Sequence, residues 1–129
     1  MKEMICSIIS IIVSSLIFGF GGIDIALQCL LCAIVLDYIS GVIKAYTLKE
    51  LSSKVGFKGI LKKIGILVIV ILGVLLDKIA GETGAIRTLV IYYFVANEGL
   101  SIIENLSLAG VPIPKRLKKA LKELKKKGN

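Results

Sequence analysis

The chain has 129 residues, of which 56% are hydrophobic, with a mean hydropathy of +0.89 and a formal charge of +8 from 17 basic and 9 acidic residues. This composition leaves too little polar surface to coat a soluble globule, which excludes an ordinary water-soluble domain and indicates an integral membrane protein. Most of the positive excess lies in two blocks beside apolar runs, without the interleaved aromatics that single-strand binders use for stacking, so the blocks read as membrane flanks and not as a nucleic-acid surface.

The first apolar run, Met4 to Phe20, is uncharged. As a helix it is about 25 Å long, enough with its flanks to cross a hydrocarbon core of about 30 Å. Met1-Lys2-Glu3 ahead of it gives the look of a secretory signal, but no small-x-small cleavage site precedes Gly21-Gly22, so a retained span is expected. Ser7, Ser10 and Ser14 recur at helical spacing, as residues of a helix-packing face do. Gly19 to Asp24 then breaks the run, with Asp24 placed to cap the next helix.

Ile25 to Tyr46 reads as the second span, with Asp37 near its middle and Lys44 near its end. Its Ile, Leu and Val residues, at roughly −0.3 to −0.6 kcal/mol each, outweigh one central aspartate at about +2.5 to +3.5, so insertion stays favourable. At 100° per residue Ala33, Asp37, Gly41 and Lys44 share a face with Ser40 beside it, and that face has to meet protein or water. Cys29 and Cys32 have the CxxC spacing, but within an apolar helix of a chain that has no histidine they read as packing; no metal site and no disulfide is expected.

Thr47 to Lys63 carries Lys49, Lys54, Lys58, Lys62 and Lys63 against Glu50. It is predicted to be a cytoplasmic connector under the positive-inside rule, with Phe57 and Ile60 dipping into lipid. Its Ser53 to Gly59 stretch lacks the Walker spacing of a phosphate loop. Ile64 to Ala80 is the third span, and Gly81 to Arg87 a short, charge-balanced turn suited to the outer face.

The fourth span, Ala85 to Leu106, contains Glu98, and an ionisable residue at membrane depth is by default a functional one. Asn97, Glu98, Ser101, Glu104 and Asn105 fall in a single arc of about 120° that fills only the cytoplasmic half of the helix. Gly110, Pro112 and Pro114 stop the helix, and a tail follows in which Leu117, Ala120, Leu121 and Leu124 repeat at i, i+3, i+4, i+7. Lys115, Arg116, Lys118, Lys119, Lys122, Lys125, Lys126 and Lys127 surround them, making a basic amphipathic helix suited to an anionic leaflet.

The expected fold is an all-α integral membrane protein. A four-helix transmembrane region occupies 1–112, with spans at about 4–20, 25–46, 64–80 and 85–106, and a cytoplasmic basic tail occupies 113–129. Four spans put both basic blocks, and both termini, in the cytoplasm, whereas three would export one block. No nucleophile and base pairing, metal set or cofactor motif is present in the sequence, so an enzyme is not expected. A channel, pore or transporter, or a regulatory membrane protein, remains.

Four sequence blocks narrow this further: Leu36 to Ala45 (LDYISGVIKA), Ser52 to Lys63 (SSKVGFKGILKK), Asn97 to Asn105 (NEGLSIIEN) and Gly110 to Pro114 (GVPIP). In order and combination they resemble the signature blocks of a phage holin family, which includes holins linked to toxin release in clostridia and related Gram-positive bacteria. The resemblance implies a multi-pass protein of the bacterial cytoplasmic membrane that accumulates harmlessly and then assembles with its own copies into lesions. An endolysin, or a toxin, is the released cargo; membrane lipid is the other partner, and no cofactor or nucleic acid is implied.

On this reading Asp37, Ser40, Gly41, Lys44, Asn97, Glu98, Ser101, Glu104 and Asn105 are candidates for a pore or oligomer interface, and Lys54, Lys58, Lys62, Lys63, Lys115, Arg116, Lys118, Lys119 and Lys122 for the lipid-facing basic surface. Asp37, Lys44, Glu98 and Glu104 are expected to be satisfied within one bundle before assembly and the fourth-span stripe to line water after it. The plainer alternative is an Asp37–Lys44 pair, with Asn97 to Asn105 marking the interfacial end of the helix. An antiholin sharing the fold and a small proton-coupled transporter are the competing functions, although the first span lacks the carboxylate a transporter's binding chamber needs.

Overall fold

The computed structural model describes residues 1–128, which form α1 (Lys2–Gly19), α2 (Ile25–Thr47), α3 (Ser53–Ile79), α4 (Ala85–Leu108) and α5 (Lys115–Gly128). The first four are long and apolar enough to cross a membrane. Asp24 caps α2, accepting from the Leu27 N–H at 3.0 Å. The Ser52 hydroxyl does the same for α3 from Val55 at 3.4 Å. That cap corrects one boundary: α3 begins at Ser53, so most of the lysine-rich stretch predicted as a connector is the first turns of a helix. Lys54, Lys58 and Lys62 follow one another at four-residue steps, a solvated helix face instead of a loop.

α4 is the centre of the bundle, packing against α2, α3 and α5. Leu27 and Leu30 of α2, Ile66 and Val70 of α3 and Ile91 of α4 make the buried apolar core. α1 has no buried residue. It meets the rest at its C-terminal end, where Lys78 Nζ lies 4.0 Å from the centre of the Phe18 ring and a side chain at Gly19 would already touch Ile71.

The helical hairpins are tied together at the end of the bundle where the α1–α2 and α3–α4 turns lie. The Asp77 carboxylate, buried at the end of α3, accepts from the backbone N–H groups of Ile86 at 2.9 Å and Arg87 at 2.8 Å, capping α4 from a neighbouring helix. Arg87 then reaches across to the first hairpin. Its Nε donates to the Phe20 carbonyl at 2.6 Å, Nη2 to the Gly22 carbonyl at 3.1 Å, and Nη1 and Nη2 to the two Asp24 oxygens at 2.8 and 3.0 Å. Gly21 and Gly22, at φ 72° and 99°, take the left-handed conformations that turn these carbonyls towards the guanidinium.

Arg87, and after it the Leu27 N–H, hold the Asp24 carboxyl down at about 2 from its ordinary 3.8. Because the folded value is the depressed one, this contribution to stability is complete above the ordinary value and disappears as the pH falls through about 2. Arg87→Lys keeps the charge but loses the fork and the turn carbonyls, and should cost about 2 kcal/mol in unfolding of the detergent-solubilised protein. Asp24→Asn, which keeps a capping oxygen, should remove the part of the acid sensitivity that lies between the two pKa values; an unchanged acid titration of stability would show that the pair contributes nothing.

Candidate functional site

One residue from each of three helices meets in the lower part of the bundle. Lys63 of α3 donates its ammonium hydrogens to Asp37 Oδ2 of α2 and to Glu98 Oε2 of α4, the latter at 2.5 Å. Asp37 is 7% and Glu98 3% exposed. A second ring of contacts holds the aspartate: Asn105 Nδ2 donates to Asp37 Oδ1 at 3.0 Å and to Ser40 Oγ at 3.1 Å, while the Ser40 hydroxyl donates to the Asp37 carbonyl at 3.0 Å. Among the described residues no buried side-chain nitrogen or oxygen lacks a partner.

The cluster lies well inside the helices. Asp37 follows Asp24 by 13 residues, Lys63 precedes Asp77 by 14 and Glu98 follows Arg87 by 11. At 1.5 Å per residue the inner layer is about 16–21 Å from the Arg87 layer. The core residues Leu27, Leu30, Ile66, Val70 and Ile91 fill the space between. From the outside, Lys63 is reached through an apolar groove of about 300 Å³ between α2 and α3, walled by Ile34, Tyr38, Ile60 and Ile64.

The arrangement sorts the residues expected from the sequence. Asp37, Ser40, Glu98 and Asn105 come together, and Gly41 leaves room for the Asn105 amide, which a Cβ there would approach to 3.7 Å. Lys44, half-buried, forms no ion pair among the described residues, so the alternative of an Asp37–Lys44 pair gives way to Asp37–Lys63. Ser101 is half-buried and Glu104 exposed, and Asn97 turns towards α5, accepting from Lys125 Nζ at 3.1 Å. Lys54, Lys58, Lys62, Lys115, Arg116, Lys118, Lys119 and Lys122 are exposed.

Lys63 is the correction. It was expected at the lipid-facing surface and is instead the cation of the inner site. A signal for it is present in the sequence once α3 is known to begin at Ser53. The buried face of α3 runs Asp77, Val74, Val70, Ile66, and one more step back along it falls on Lys63 and not on Lys62. Arg87 and Asp77 were likewise missed, because each acts on a helix other than its own.

Chemically the cluster is an electrostatic tie: two carboxylates share one ammonium, for a formal excess of one negative charge. Removing the cation leaves two buried acids facing each other, which is far costlier than removing all three charges. Lys63→Met should therefore destabilise the detergent-solubilised protein by about 3–5 kcal/mol, and adding Asp37→Asn and Glu98→Gln should recover most of the loss. Equal unfolding midpoints for the wild type and Lys63→Met would refute the tie.

The sequence model of the bacteriophage holin family matches residues 6–126, a stretch that contains the whole cluster. An uncharacterised 14.9 kDa protein in the nagH 3′ region of Clostridium perfringens is 50% identical over 109 residues, covering 84% of this chain and 83% of its own length. An uncharacterised protein of Listeria monocytogenes is 47% identical over 104 residues, 79% of this chain and 74% of its own. A probable holin of Bacillus phage phi105 is 39% identical over 88 residues, 68% and 65% of the two chains. No solved structure matches the chain significantly. With four helices able to span a membrane and a family match over nearly its full length, the chain belongs to the bacteriophage holin family.

Proposed function

We propose that this protein is a hole-forming holin: copies accumulate in the bacterial cytoplasmic membrane and assemble into homo-oligomeric lesions through which an endolysin, or a toxin, leaves the cell. Family membership supports the holin-type role, and the Asp37–Lys63–Glu98 cluster carries the reading of how it works. Two buried carboxylates and one half-buried ammonium in an apolar bundle are tolerable while they satisfy one another, so an isolated copy is harmless. They become useful when neighbouring copies supply a wet lumen in which the same groups keep their hydration.

The polar residues of α4 are the ones we assign to that lumen, Glu98, Ser101 and Asn105 foremost. The tie to α2 and α3 would open as α4 exchanges protein partners for water. The excess negative charge of the cluster couples it to the membrane potential, since one elementary charge crossing the full field is worth about 2.3 kcal/mol per 100 mV. Collapse of the potential then favours the open arrangement. The distribution of lysines supports an orientation with both termini in the cytoplasm: Lys54, Lys58, Lys62 and α5 crowd one end of the bundle, while at the other Arg87 is neutralised by Asp24. Residues 1–112 then make the membrane unit, with 113–129 a cytoplasmic tail.

Induction of the gene alone should admit a membrane-impermeant dye and drop viability, and co-induction with an endolysin should produce abrupt lysis. Dye exclusion together with delayed lysis by another holin would identify an antiholin instead. Glu98→Gln, expressed to the same level, should shift the onset of lysis or abolish it; identical timing would discard the role assigned to this carboxylate.

A further inference from the structure

α5 has two faces with different claims on it, and the structure shows one of them only partly met. The helix folds back along α4. Leu121 sits over Gly99, where a Cβ would come within 2.9 Å of its Cδ2, so the absence of a side chain at Gly99 makes the seat. Lys125 reaches Asn97 Oδ1 at 3.1 Å and stands 5.7 Å from the centre of the Tyr93 ring. Asn97 lies 11 residues before the end of α4, about 16 Å along the helix, so the docked tail carries cations alongside a membrane-spanning segment.

The seat leaves much of the tail unsatisfied. Leu121 and Leu124 are half-buried, but Leu117 and Ala120, on the same apolar stripe, remain exposed, Leu117 at 48%. Eight basic residues accompany a single acid, Glu123, and among the described residues Lys125 is the one of the eight with a partner on α4. An anionic leaflet offers what α4 does not: apolar depth for all four stripe residues at once, and phosphate charge for all eight cations.

We propose that α5 is a clasp that exchanges between this seat on α4 and the surface of an anionic phospholipid bilayer, with headgroup charge setting the balance. Docked, it covers the Gly99 notch; lifted, it leaves on α4 a side-chain-free position that another helix can approach closely. This last consequence rests on the assembly proposed above, whereas the exchange itself does not.

The test uses the full-length protein with Cys6, Cys29 and Cys32, all exposed, replaced by Ala, and with Gly99→Cys and Leu121→Cys added, because a Cβ on Gly99 lies 3.6 Å from Leu121 Cγ, the position a cysteine sulfur takes, which is within disulfide reach. The protein is reconstituted in vesicles of phosphatidylcholine alone or of phosphatidylcholine with phosphatidylglycerol, and oxidised mildly. A disulfide within one chain should form readily in the neutral vesicles and fall about fivefold or more in the anionic ones, recovering at about 1 M salt, where the Debye length is about 3 Å. Equal yields in both membranes would overturn control by headgroup charge. Disulfide absent from both, or only between chains, would overturn the seat itself. A second variant, Leu117→Trp in a chain with no native tryptophan, should show a blue-shifted emission in the anionic vesicles only; emission indifferent to headgroup charge counts against the proposal. Neither readout depends on lysis, so failure here leaves the hole-forming reading standing, and the reverse.

Discussion

A single ammonium group, Lys63 Nζ, joins three helices of this bundle. In water, helices are driven together by apolar burial, but within hydrocarbon the lipid tails solvate leucine as well as another helix does, and packing has to be supplemented by groups that lipid cannot satisfy. Asp37 and Glu98 are such groups. Each is placed on its own helix at a cost that only a shared cation repays, and this makes the relative positions of α2, α3 and α4 interdependent.

The rest of the architecture follows from having two such ties at different heights. At the turn end, Asp77 and Arg87 convert the start of α4 into a junction for both hairpins, using backbone groups that a helix end leaves unpaired in any case. At the other end the Lys63 cluster does the same through side chains. Between them lies a short apolar core in which α4 touches every neighbour but α1. α1 is outside this scheme: Ser7 bonds back to the Glu3 carbonyl at 2.9 Å and Ser10 to that of Cys6 at 2.8 Å, and among the described residues no ion pair ties its body to the bundle.

Much of the fold was legible in the chain because the signals are local. Apolar run length marked four helices able to span a membrane, Asp24 announced the start of α2, and Gly110 with two prolines announced the end of α4. Asp37, Ser40, Glu98 and Asn105 stood out as candidates because a polar residue in an apolar run is costly wherever it sits. The start of α3 was missed since a run of lysines satisfies two descriptions, a loop at the interface and a solvated helix face, and only the Ser52 cap separates them.

The sequence by itself determined which groups needed partners: a chain this apolar must cross a bilayer, and its buried acids must be answered. Which partner answered each was decided by tertiary structure alone. Lys44 shares a helix with Asp37 and Lys63 does not, yet the register of α3 against α2 and α4 brings Lys63, and no other cation among the described residues, into reach of both carboxylates. The same register turns Glu98 inward and leaves Glu104, six residues on, exposed. Helical periodicity specifies the face on which a side chain stands, but the height and azimuth of the neighbouring helix, set by packing at Leu27, Val70 and Ile91, specify what that face meets.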